Sequence, residues 1–347
     1  MSALWGLYAE ELATLLGADL SEARRIQSGL WSTGAPVARR PVRRALAQAA
    51  LAMDHDRPVI VERHPDPDDH SVRFLLQAAD GARFEVVAIP LAKEGSYSLC
   101  LSSQVGCAMG CAFCQTATLG LSRHLGAHEI CGAFHRVRAE LPGRVTGAVF
   151  MGQGEPFHNY EAVIRAARLL CAPTGGAVSA DAISISTVGL VPQIHRYAAE
   201  GWPFRLLVSL TSAIPERRAA LLPVAGRWSL AELADALRAV HRATGDRVTV
   251  AWVLLGGVND GLDEVAALQA LLGDLPLRIN LIDVNVPPGE DSRFRRSTPD
   301  ELDRFRDALQ VLRAPVVRRY SVGQGQNAAC GLLARRAAAA ASNVGQP

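Results

Sequence analysis

Cys107, Cys111 and Cys114, in the run QVGCAMGCAFCQT, set three thiols at a C-x3-C-x2-C spacing. One short loop of that form can ligate three irons of a [4Fe–4S] cube and leave the fourth iron without a protein thiolate. An electron-carrying cluster takes four cysteines, whereas a metal centre with an open coordination position can bind substrate. Two plainer readings of the triad stand beside this one, a structural zinc knuckle and three buried core thiols. Zinc wants a fourth Cys or His, which His124 or His128 could supply.

A loop of this kind needs a scaffold. From about residue 96 the chain repeats strand, loop and helix, with seven apolar strand-like runs from YSLCLSS (97–103) to VVRRYSV (316–322). Amphipathic stretches such as YEAVIRAARLLC (160–171) and LAELADALRAVHRATG (230–245) separate them. Such alternation predicts parallel strands with helical crossovers. The fold class is therefore α/β, a partial (β/α)6 barrel of the TIM type. In such an architecture the active site forms at the C-terminal ends of the strands. The cluster loop follows the first barrel strand, Gly154 and Glu155 end the second, Ser186 the third, Ser209 the fourth and Asn285 the sixth. Glycines there let the backbone approach a ligand, and a carboxylate can accept hydrogen bonds from a ligand ammonium.

The triad spacing is the signature of the radical S-adenosylmethionine (SAM) superfamily, whose open iron binds the amino and carboxylate groups of SAM. The resemblance narrows on further segments in order. They are SLCLSSQVGCAMGCAFCQT (98–116), VFMGQGEPFHNY (149–160), ISISTVGLVP (183–192), LVSLTSAIPERRAALLPV (207–224), GGVNDG (256–261), INLIDVNVPPG (279–289) and NAACGLLA (327–334). Together they resemble the RlmN/Cfr family, which methylates an adenine ring carbon in RNA. The match runs from about residue 70 to 334 and includes two cysteines outside the triad, Cys100 and Cys330.

What the resemblance implies is specific. A [4Fe–4S] cluster on the three cysteines would bind SAM against Gly154 and Glu155, with Ser186, the Ser209–Leu210–Thr211 stretch and Asn285 completing the pocket. Cys330 would take a methyl group from one SAM, and a second SAM would be cleaved to the radical that activates it for addition to the base. Cys100 would then release the RNA adduct by forming a transient disulfide with Cys330. Glu85, in RFEVVAIP, aligns with a carboxylate assigned as proton acceptor. Two positions depart from the family pattern: Gln153 stands where methionine is usual, and Thr211 where histidine or asparagine is usual. The target would be carbon 2 or carbon 8 of an adenine in ribosomal or transfer RNA. A flavodoxin- or ferredoxin-like reductant would supply electrons, and the enzyme would act as a monomer. The same triad and Glu155 would serve a radical-SAM enzyme acting on a peptide or small molecule, but that chemistry has no need of Cys100 together with Cys330.

Composition frames these readings. The chain has 347 residues, 49% hydrophobic and 20% charged, with a net charge of +2, enough for a barrel-sized domain and a small accessory unit. Its charge alone does not announce a nucleic-acid protein. Lys93 is the only lysine, and every other cation of the Lys and Arg type is arginine, whose planar fork suits phosphate. The first residues carry acids and no basic n-region, so no signal peptide is expected. No apolar run reaches the roughly 18 residues of a membrane span. The cysteine spacing is metal-like rather than a disulfide framework, which points to a reducing cytoplasm.

Four segments are predicted. Residues 1–66 form a helical accessory unit that the resemblance assigns to RNA binding, and 67–95 form a β-hairpin extension around Ala-Asp-Gly. Residues 96–334 form the partial barrel and catalytic segment, and 335–347 a fraying tail. Arg39, Arg40, Arg43 and Arg44 make a basic cluster without an acidic sequence neighbour, and SRFRRS (292–297) makes a second near Asn285. Each is either a phosphate grip or a solvated face.

Overall fold

The computed structural model describes residues 3–37, 41–285, 293–319 and 333. The chain begins with three helices, α1 (Ala9–Leu16), α2 (Leu20–Thr33) and α3 (Arg44–Leu51). Asp19 starts α2 by accepting the Glu22 amide at 2.9 Å, the ordinary remedy for an unpaired helix-start N–H. Strands β1 (Val59–Pro65), β2 (Val72–Gln77), β3 (Arg83–Pro90) and β4 (Ser96–Cys100) then follow in an antiparallel run. The predicted hairpin is thus widened by β1, which lies within the stretch read as helical. The residues of β1 alternate between exposed and half-buried, and a bulge shifts its register between Ile60 and Glu62.

A small hairpin, β5 (Gln104–Gly106) with β6 (Leu121–His124), brackets the cysteine loop. Beyond it come α4 (Ala127–Ala139), β7 (Arg144–Phe150), α5 (Tyr160–Cys171), β8 (Ile183–Thr187), α6 (Val191–Glu200) and β9 (Arg205–Ser209). The chain continues through α7 (Pro215–Leu221), α8 (Leu230–Thr244), β10 (Val248–Leu254), α9 (Leu262–Leu272), β11 (Leu277–Asp283), α10 (Pro299–Ala308) and β12 (Val316–Arg319). All but β5 and β6 join one sheet, in the order β1-β2-β3-β4-β7-β8-β9-β10-β11-β12. Pairing is parallel from β4 onward, and the sheet stays open rather than closing as a barrel. The parallel strands are buried almost end to end, as β8 shows with five buried residues in succession.

The N-terminal helices dock on α4 and α5, on the helical side of the sheet. Trp5 packs on His135 with ring centroids 4.8 Å apart and the rings tilted by 43°, and Arg165 Nε donates to the Gly6 carbonyl at 2.6 Å. The inner face is a separate environment. Register places Arg73 opposite Val87 and Val87 opposite Cys100, and alternate residues share a face. Arg73, Glu85, Val87 and Cys100 therefore line the same side, while Phe84, Val86 and Ala88 belong to the main apolar core.

Candidate active site

The cysteine loop is shaped by its hairpin. The Cys107 amide donates to the Gly120 carbonyl at 2.8 Å, and the Ala112 amide to the Leu221 carbonyl at 2.9 Å. Gly106 has φ +76°, and a Cβ there would meet the Gly120 carbonyl oxygen at 1.9 Å. Only glycine fits, and the hairpin closes tightly enough to aim the next residue, Cys107, inward.

Cys107, Cys111 and Cys114 line one cavity of about 140 Å³, open at its mouth, together with Gly154, Glu155, Ser186, Ser209 and Asn285. The five strand-end residues named from the sequence therefore do converge on the triad. Leu210 and Thr211 do not reach the cavity wall and are wholly buried. Thr211 takes φ +59°, an unusual conformation for a β-branched residue, and Asn259 Nδ2 holds its carbonyl at 2.6 Å. Its hydroxyl is buried with no hydrogen-bond partner among the described residues.

Gly154 (φ +99°) lets the second strand end pass Gln104, whose Cβ would lie 2.6 Å from an added methyl. Gln104 Oε1 in turn accepts the Glu155 amide at 2.8 Å. The buried Glu155 carboxylate accepts from the amides of Phe157 and Val188, each at 2.9 Å, and so ties the β7 end to the β8 end. Burial pushes its pKa up to about 7 against the pull of those hydrogen bonds.

The donor set fits an iron–sulfur cluster. Burial pushes the Cys107 thiol up to about 11 and raises Cys111 further, and the neighbouring thiols add to both shifts. Three thiolates in such a place need a bound cation to exist together. Among the described residues, no three His, Cys, Asp or Glu side chains converge as ligands of a single metal ion do. A cube would take each thiolate at a different iron.

Beside the cavity, the inner face carries a buried polar group. Arg73 Nη1 donates to Glu85 Oε1 at 2.5 Å, and Gln153 Nε2 lies 3.3 Å from Glu85 Oε2. Both Arg73 and Glu85 are buried, so Glu85 is no solvated surface charge. Cys100, Val87 and Leu333 pack together next to Met151, which lines the cavity. Cys330 lies outside the described residues, as do Arg39 and Arg40.

Two sequence expectations change here. Arg43 does have an acidic neighbour in space: its Nη2 donates to Glu22 Oε2 at 2.7 Å, which commits it to holding α2 against α3. In the second basic run, Arg295 pairs with Glu301 at 2.7 Å and Arg296 contacts Asn285 Oδ1 at 3.3 Å. Wall residues that the sequence reading did not single out include Phe113, Thr116, Val188 and Asp283. Apolar loop residues carry little signal of their own, but Val188 directly follows a strand end that had been noted.

An open parallel sheet with a three-cysteine loop at its C-terminal edge defines the class. Residues 101–268 match the model of the Radical SAM superfamily, a class that carries a [4Fe–4S] cluster and SAM. The chain is 46% identical over 338 residues to a probable RNA methyltransferase of Anaeromyxobacter sp. (strain Fw109-5), covering 96% of this chain and 98% of that protein. It is 34% identical to the dual-specificity RNA methyltransferase RlmN of the same strain, covering 94% and 88%. The crystal structure of a radical SAM methyltransferase from Sphaerobacter thermophilus superposes with a TM-score of 0.86 at 34% identity, covering 96% and 99%. The chain belongs to the RlmN family of radical SAM RNA methyltransferases. Among the described residues no helix is long and apolar enough to cross a membrane.

Proposed function

We propose that this chain methylates a ring carbon of adenine in ribosomal or transfer RNA, carbon 2 in first place, by way of a methyl group carried on Cys330. A single observation carries the reading. Leu333 packs on Cys100, and its carbonyl accepts from Thr116 Oγ1 at 3.0 Å, so Leu333 sits between the cysteine loop and the inner face. Cys330 stands three residues before Leu333 in the sequence.

In this reading Cys107, Cys111 and Cys114 would hold the cluster, with one iron left for SAM. Bound there, cluster and SAM supply the one-electron chemistry that removes hydrogen from an unactivated methyl group. The protein does the rest. Gly154, Glu155, Ser186, Ser209 and Asn285 seat the cofactor, with Leu210 and Thr211 shaping the turn behind it. Glu85 takes the ring-carbon proton on its carboxylate, oriented by Arg73 and Gln153. The Cys100 thiolate attacks the Cys330 sulfur, and the disulfide that forms frees the methylated base. A flavodoxin- or ferredoxin-like donor provides the electrons.

The test is nucleoside mass spectrometry after reaction of reconstituted enzyme and methyl-labelled SAM with ribosomal and transfer RNA. The label is expected in one methyladenosine carrying the new carbon on the ring. Label confined to a peptide or a small molecule would contradict the reading.

A further inference from the structure

Arg218, on α7, is 3% exposed, yet none of its hydrogen-bond partners is acidic. Its guanidinium donates to the carbonyls of Val188 (2.7 Å), Ser209 (3.0 Å) and Leu210. No carboxylate pairs with it among the described residues. The contrast with its neighbours is sharp. Arg217, next in sequence, bonds to Asp263 and Glu264, and Arg73, the other arginine this deeply buried, has Glu85. A buried cation without an anion is costly, because three carbonyl dipoles only partly replace its hydration. Burial accordingly draws its pKa down to about 10, opposed by the charge of the Cys111 thiol.

Its position says what the missing anion is. Val188 and Ser209, two of the residues it staples, line the cavity beside the three cysteines. The helix that carries it also accepts the Ala112 amide on Leu221, one residue beyond Cys111, and Leu222 is a wall residue of the same cavity. The charge therefore sits behind the wall of the cavity, and that wall carries no Lys, Arg or His among the described residues.

We propose that Arg218 is a built-in counter-charge for the cysteine-bound cluster, a positioning residue that favours cluster binding and its one-electron reduction. The inference rests on the reading that the triad holds a cluster. A cube with three thiolates is a net anion, and the electron delivered by an external low-potential donor makes it more negative. A fixed positive charge close by stabilises the reduced form more than the oxidised one, which raises the midpoint potential. SAM chemistry then starts from a cluster that is easier to reduce.

The test uses Arg218→Lys, Arg218→Gln and Arg218→Met in the full chain. Lysine keeps the charge and loses the fork, glutamine keeps two donors without charge, and methionine keeps neither. Iron content is measured first, and a wild-type protein that binds no iron sinks the cluster reading itself. The midpoint potential is then read by redox titration followed by electron paramagnetic resonance, and the melting temperature is read before and after reconstitution. The Gln and Met variants are expected to shift together to more negative potential and to gain less melting temperature on reconstitution, while Lys tracks wild type. If Gln tracks wild type while Lys departs from it, Arg218 is a carbonyl staple alone and the proposal is overturned. A variant that fails to fold without the cluster is replaced in the comparison by the remaining neutral one, so the Lys-against-neutral contrast still decides.

Discussion

Leu333 lies against Cys100 in an apolar cluster with Val87, and its carbonyl accepts a hydrogen bond from Thr116, two residues past the last cysteine of the triad. One residue thus joins Cys100 to the cysteine loop.

The triad is the first thing to break. Cys107→Ala, Cys111→Ala and Cys114→Ala should each lose most of the bound iron after anaerobic reconstitution and abolish reductive SAM cleavage. Iron assay and chromatography of the cleavage products check this. Full iron and full cleavage in any one of them would mean that residue is not a ligand.

Glu85 gives a prediction with a built-in control. Glu85→Gln should cut RNA methylation roughly a hundredfold or more, the usual loss of a general base, while SAM cleavage persists. It also leaves the Arg73 guanidinium buried without its counter-charge, which costs roughly 3–5 kcal/mol of stability. Adding Arg73→Met should restore the melting temperature and leave methylation lost. Gln153→Met removes one hydrogen bond to the carboxylate and should cost roughly ten- to a hundredfold in methylation rate, in line with about 1.5–3 kcal/mol for a bond to a charged group. Methylation that recovers along with stability would show Glu85 to be structural.

Much of this was legible in the sequence because it follows from spacing. The triad, the strand ends bearing Gly154, Glu155, Ser186, Ser209 and Asn285, and the helical crossovers all express local periodicity, and they meet at one cavity. What was not legible depends on contacts across the fold. The Arg73–Glu85 pair is set by hairpin register, which a strand pattern does not reveal. Arg217 and Arg218 are adjacent and alike in sequence, and only the packing of α7 turns one toward Glu264 and the other beneath the cysteine loop. Arg43 looked free because its acid, Glu22, sits on the previous helix.

The contact of α4 with the N-terminal unit carries a pH dependence of its own. His135 is buried, its Nδ1 accepts from Arg57 Nη1 at 2.7 Å, and burial with Arg138, Arg57 and Arg136 draws its pKa down to about 3. Its folded pKa is below the ordinary value of 6.5, so below pH 6.5 the unfolded chain binds a proton that the folded chain refuses. This contribution is complete above pH 6.5 and falls by about 1.4 kcal/mol per pH unit beneath it. Thermal melts of cluster-free protein between pH 7 and pH 5 should show a steeper loss in wild type than in His135→Gln. Parallel slopes would show that His135 already takes up its proton in the folded state.

The central claim is the relay between Cys330 and Cys100, and one gel tests it most directly. Purified Cys100→Ala protein keeps the attachment point but lacks the thiolate that attacks the Cys330 sulfur. It should accumulate as a covalent RNA complex, seen on a denaturing gel as a slow band that ribonuclease collapses, and Cys330→Ala should show no such band. A Cys100→Ala protein that turns over like wild type with no ribonuclease-sensitive band would contradict the account.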